Sequence, residues 1–118
     1  MRVLKEVIWV GSSLNDLKTF SSEVKDEIGF SLYLVQKGKT PQNAKPFHGL
    51  GAGVMEIVCD FNTDTYRVVY ALKIGKAVYV LHSFQKKSKS GIRTPQKEVD
   101  LIRQRLKIAK TIAAKRGS

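Results

Sequence analysis

The order of apolar and polar positions divides the chain into a helical front, an alternating middle and a helical end. "KEVIWV" (Lys5–Val10) is rich in β-branched and aromatic residues and stops at Gly11, which predicts a strand. "SSLNDLKTF" places Leu14, Leu17 and Phe20 on one side of a short helix, with Ser13 and Asp16 at capping-box spacing. In "SSEVKDEIGFSLYLVQKG" the residues Val24, Ile28, Leu32 and Val35 recur at helical intervals, and Gly38 ends the helix. Lys39–Gly53, with two prolines and three glycines, reads as a loop.

Three strands follow, at Val54–Phe61, Tyr66–Lys73 and Lys76–Phe84, joined by Asn62–Thr65 and by a turn at Ile74-Gly75. Thr94 is then expected to cap a last helix, with Pro95 at its first position and Val99, Ile102, Leu106 and Ala109 as its buried stripe. The expected fold is α+β: a small antiparallel sheet, two N-terminal helices packed on one face, and a basic C-terminal helix. At 118 residues the chain is long enough for one core and is read as one domain, residues 1–118.

A turn at Ile74-Gly75 sets Arg67 directly opposite His82. Strand alternation then puts Arg67, Val69, Ala71, Val78, Val80, His82, Phe84 and Lys86 on one face. Tyr66, Val68, Tyr70, Leu72, Ala77, Tyr79 and Leu81 fall on the other, the bulkier face, which is expected to meet helices.

Charge changes this picture. Lys and Arg number 21 against 10 acidic residues, a net charge of +11, which attracts polyanions at long range. From Gln85 onward, eleven basic side chains face only Glu98 and Asp100, so most of the excess sits at the C-terminal end. The front of the chain is nearly balanced and reads as scaffold. The single cysteine, Cys59, excludes an internal disulfide and reads as a small core residue. No Cys/His cluster points to zinc, and no metal or cofactor is expected. No apolar run has signal-peptide or membrane-spanning length, so a cytoplasmic protein without membrane contact is expected.

The open end of the last hairpin gathers Arg67, His82, Phe84 and Lys86, with Lys87, Lys89 and Arg93 just beyond. An arginine fork grips phosphate oxygens, and an aromatic ring gives a base a stacking surface. A lysine crowded by cations loses its proton more readily. RNA self-cleavage needs a proton taken from the 2′-OH, charge stabilised on phosphorus, and a proton given to the 5′-oxygen. Taken singly, each residue also has an ordinary structural reading. Arg67 can pair with Glu56, His82 can be a hydrogen-bonded core histidine, His48 a bystander in its loop, and the lysine run a solvated surface.

Three segments together resemble a known family: "WVGSSLNDLKTFSSEVKDEIGFSLYLVQKG", "GAGVMEIVCDFNTDTYRVVYALKIGKAVYVLHSFQKKS" and "TPQKEVDLIRQRLKIA". They are similar to the phage-derived, HigB-like branch of the RelE/ParE toxin superfamily, over nearly the whole chain. The resemblance implies a RelE-like fold and the toxin of a type II toxin–antitoxin pair. It implies a metal-independent endoribonuclease that cleaves mRNA on the ribosome. It also implies a cognate helix-turn-helix, HigA-like antitoxin. On the matching positions, Arg67 of "YRVVY" contacts the scissile phosphate, and Lys86-Lys87 form the basic pair after the last strand. The catalytic set expected is Arg67, Lys87 and His82; Lys45, His48, Phe84, Lys86, Lys89 and Arg93 bind RNA. Val58 departs from relatives that carry arginine there, and no clear counterpart of a late catalytic tyrosine is present. The proton donor and acceptor stay open among His82, His48, Lys45 and Lys87. The alternative within the same superfamily is a ParE-like toxin that binds DNA gyrase without cutting RNA, and a third is a plain nucleic-acid-binding accessory protein.

Overall fold

A short strand, β1 (Val7–Trp9), leads into two helices, α1 (Ser13–Lys18) and α2 (Ser22–Gln36). The structure is a computed structural model and describes residues 3–86 and 93–117. Local signals set both ends of α2. The Ser21 hydroxyl accepts from the Val24 N–H at its start. At its end Gly38 takes φ +84°, its N–H bonds the Val35 carbonyl, and the Lys39 N–H bonds the Leu34 carbonyl. That double closure uses carbonyls the helix cannot satisfy itself. The buried stripe is Val24, Ile28, Leu32 and Val35, as the periodicity predicts. α1 starts differently. Ser12, not Ser13, flanks it and donates to Asp16, while the Ser13 hydroxyl is buried against the Val80 carbonyl at 3.1 Å. Close packing of α1 on the last strand diverts Ser13 from the expected capping role.

The sheet adds β2 (Ala44–Pro46), β3 (Val54–Phe61), β4 (Asp64–Ala71) and β5 (Val78–Lys86), in the order β1-β5-β4-β3-β2. β1 runs parallel to β5, and every other neighbouring pair is antiparallel. β2 lies inside the stretch expected to be loop. It is three residues long and at an edge, a place where a strand accommodates a proline such as Pro46. β3 and β4 are joined by Asn62 and Thr63 alone, both at positive φ, which matches the twist of a tight hairpin.

The last hairpin departs from its expected register. The connection between β4 and β5 runs from Leu72 to Ala77 instead of turning on Ile74-Gly75. A bulge in β5 then shifts the pairing: Tyr70 faces Val80, but Val69 faces His82, so Leu81 is the extra residue. Arg67 therefore stands opposite Phe84 and not opposite His82. The bulge also divides the face assignment. Ala77, Tyr79 and Leu81 point to the same side as Val69 and Ala71, while Val78 and Val80 join Val68 and Tyr70 on the other.

Both sides of the sheet are covered. One core lies between the sheet and α1–α2 and contains Leu17, Val24, Ile28, Ile57, Val68, Tyr70 and Val80. The other lies under α3 (Gln96–Lys115) and contains Val69, Tyr79, Leu81, Phe84, Ile102, Leu106 and Ala109. Pro95 itself occupies the N-cap of α3, one residue later than expected, and no side chain caps it. Its carbonyl receives the N–H groups of Glu98 and Val99 instead. Among the described residues no helix is long and apolar enough to cross a membrane.

Candidate functional site

The β5 bulge decides which side chains share the α3 side of the sheet near the end of the last strand. Three cross-strand rows meet there. Lys45 on β2 faces Glu56 on β3, which faces Val69 on β4, which faces His82 on β5. In the next row Val58 faces Arg67, which faces Phe84; in the last, Asp60 faces Thr65, which faces Lys86. Alternation then turns Lys45, Glu56, Arg67, His82, Phe84 and Lys86 to one face.

Arg67 donates from Nη1 to Glu56 Oε1 at 2.7 Å, and the two side chains are only 11% and 9% exposed. This diagonal pair ties the guanidinium to β3. Its Nε has no hydrogen-bond partner among the described residues, and neither has Nζ of Lys86, a residue only 5% exposed. Burial lowers the pKa of Lys86. Arg67 and Lys45 push it the same way, and only Glu56 opposes them. One carboxylate thus stands among three cations. Two buried cationic nitrogens in this group, Arg67 Nε and Lys86 Nζ, have donors not used by any described residue.

His82 is held on both sides. Nε2 lies 2.9 Å from Glu98 Oε1, and Nδ1 lies 3.3 Å from Arg105 Nη1. A guanidinium only donates, so Nδ1 accepts and Nε2 carries the proton given to Glu98. The imidazole also stacks on Phe84, ring centroids 4.8 Å apart with planes at 17°. Phe84 is buried with its ring against His82 and packed in the α3 core, so it presents no open face to a base. Lys45 is exposed beside Glu56. His48 is exposed one residue past Phe47, which pairs with Val54 at the far end of β3 from Lys86. It therefore does not join Arg67 and Lys86. Arg93 is exposed just before α3. Lys87 and Lys89 lie outside the described residues.

Alternation already places Lys86 with Arg67; the structure adds that its ammonium is buried there. One participant, Arg105, goes beyond the sequence reading. Arg105 had a signal: it falls between Ile102 and Ala109 on the buried stripe of α3, where an arginine must be satisfied by other groups.

Residues 15–107 match the sequence model of a family described as phage derived protein Gp49-like (DUF891), most of the chain's length. The chain belongs to the Gp49-like family. This is a toxin-like family related to toxins of the RelE/HigB type. The Gp49-like match starts inside α1 and ends inside α3, so it spans Glu56, Arg67, His82, Lys86 and Arg105. None of the curated proteins matches the chain. In this Gp49-like chain Lys86, whose ammonium has no partner among the described residues, lies at the end of the central hairpin beside Arg67, which Glu56 holds.

Proposed function

We propose that this Gp49-like protein is the toxin of a type II toxin–antitoxin pair and cleaves mRNA held on the ribosome. The observation that carries this reading is the pair of buried nitrogens, Arg67 Nε and Lys86 Nζ, without hydrogen-bond partners among the described residues. A phosphodiester supplies the anionic oxygens they lack.

In the proposed reaction the 2′-oxygen of one nucleotide attacks the adjacent phosphorus. The bond from phosphorus to the 5′-oxygen breaks, leaving a 2′,3′-cyclic phosphate and a 5′-hydroxyl. Arg67 and Lys86 stabilise the charge that grows on the non-bridging oxygens. Glu56 keeps the Arg67 guanidinium in place through its 2.7 Å bond. Lys86, whose pKa is lowered by burial and by neighbouring cations, gives its proton to the departing 5′-oxygen, while the proton of the 2′-OH leaves to solvent. His82 has both nitrogens engaged by Glu98 and Arg105, so its part is to hold Phe84 and the end of β5 in place.

Binding beyond the scissile phosphate falls to exposed cations. Lys45 stands beside the pair, and Lys97, Arg103, Lys107, Lys110 and Lys115 are exposed along α3. A surface of this charge suits approach to ribosomal RNA, with an affinity that falls as salt rises. The expected antitoxin is a small helix-turn-helix protein that covers the site with an acidic or amphipathic segment.

Induction of the protein without its antitoxin, followed by mapping of mRNA 5′ ends, tests the reading. Growth arrest with new 5′ ends in phase with codons supports it. Growth arrest with intact mRNA and a DNA-damage response points to gyrase instead.

A further inference from the structure

β5 reaches the site out of phase with its own first half. Ala77, Tyr79 and Leu81 point to the α3 side, and so does His82, which bonds Glu98 and Arg105 of α3. Regular alternation forbids this for the neighbours Leu81 and His82. Only the bulge at Leu81 allows it, by advancing the remainder of the strand one residue. Without the bulge, Phe84 and Lys86 would face α1 and α2, and the lysine would be parted from Arg67 by the thickness of the sheet.

A bulge carries a local cost, since it takes backbone groups out of the ladder, and a buried carbonyl needs a donor. Arg105 supplies it. Its Nη1 donates to the Leu81 carbonyl at 3.1 Å and lies 3.3 Å from His82 Nδ1. Its Nη2 donates to the Ser12 hydroxyl at 2.8 Å, which in turn donates to Asp16. Gly11, at φ +58°, leaves room for the guanidinium: a methyl there would lie 2.7 Å from Arg105 Nε. One buried side chain therefore joins the bulge, the bulged histidine and the start of α1. The fork of an arginine makes these bonds at once; a lysine's single ammonium cannot span them.

We propose that Arg105 is a positioning residue that clamps the Leu81–His82 bulge and so sets the phase that brings Lys86 to the same face as Arg67. Its service to catalysis rests on the phosphate-site reading given above. The strand phase itself does not, and it is measurable without any RNA.

The test uses the full chain with Arg105→Met, which keeps bulk and removes the fork. NMR reads the Thr65–Lys86 and Arg67–Phe84 cross-strand contacts and the titration of the Lys86 side chain. Cleavage is followed in parallel. The expected result is loss of those contacts, movement of Lys86 up to the ordinary lysine range, and cleavage reduced about 100-fold. Native contacts and an unchanged Lys86 titration in Arg105→Met overturn the proposal. Should that variant not fold, Gly11→Ala displaces the guanidinium while leaving its charge in place. The same loss of register is expected there, and an unaltered register overturns the clamp. Loss of register with cleavage unchanged upholds the clamp and contradicts the phosphate-site reading instead.

Discussion

Arg67 on β4 bonds Glu56 on β3 across one diagonal step of the sheet, Nη1 to Oε1 at 2.7 Å, with both side chains nearly out of water. Removing the carboxylate strands a buried guanidinium beside Lys86. Breaking such a pair from one side costs far more than the pair contributes net, because the remaining charge is uncompensated. Glu56→Ala is expected to lower folding stability by about 3 kcal/mol. Glu56→Gln, which keeps an acceptor for Nη1, is expected to cost less. Urea unfolding midpoints with an unchanged slope check both.

Lys86 has the opposite sign. Its folded pKa is lowered below the 10.5 of an ordinary lysine, by burial first and by Arg67 next. Between that lowered value and 10.5 the unfolded chain holds more protons than the folded one, so this group's contribution improves as pH rises through that window. Below the window its buried charge is a constant penalty. Lys86→Met removes both effects. The variant is expected to be more stable than the wild type near neutral pH by about 1 kcal/mol, the cost typical of an unsatisfied buried polar group. The gap should narrow as pH approaches 10.5 in matched denaturation series.

Cys59 gives a slope of the other direction. Burial, followed by the neighbouring Glu27 carboxylate, pushes its thiol from 9.0 up to about 12. The folded chain keeps the thiol proton longer than the unfolded chain, so this contribution is complete below pH 9 and is lost as pH rises toward 12. Cys59→Ala should flatten the alkaline decline of stability relative to the wild type. The same burial predicts that thiol reagents label Cys59 only as fast as the protein opens.

The elements that a short stretch of chain decides were legible in the sequence. α2 was, because Ser21, the stripe from Val24 to Val35 and Gly38 all act within one segment. So were β3 and the burial of α3. The phase of β5 was not, because it depends on Arg105, more than twenty residues on, bonding a carbonyl at Leu81. β2 was hidden by its length and its proline. At the site, the sharing of a face by Arg67, His82, Phe84 and Lys86 was read from alternation, but for a register that does not occur: the six-residue connection and the bulge together restore the parity that a two-residue turn would have supplied. Glu56 as the partner of Arg67 was one of several readings and became definite only with the β3–β4 pairing.

The tight β3–β4 turn offers a gain. Thr63 is held at φ +70°, a region unfavourable for a β-branched residue and natural for glycine. Thr63→Gly, giving Asn-Gly at the turn, is expected to raise stability by about 1 kcal/mol, seen as a higher thermal midpoint.

Cleavage by Lys86→Met is the most direct measurement of the proposed chemistry, because the substitution is expected to move stability and activity in opposite directions. Single-turnover cleavage of ribosome-bound mRNA should fall about 100-fold, the usual consequence of removing one charge-stabilising donor from a transition state. A variant that is better folded than the wild type and still cuts mRNA at the wild-type rate would contradict the account.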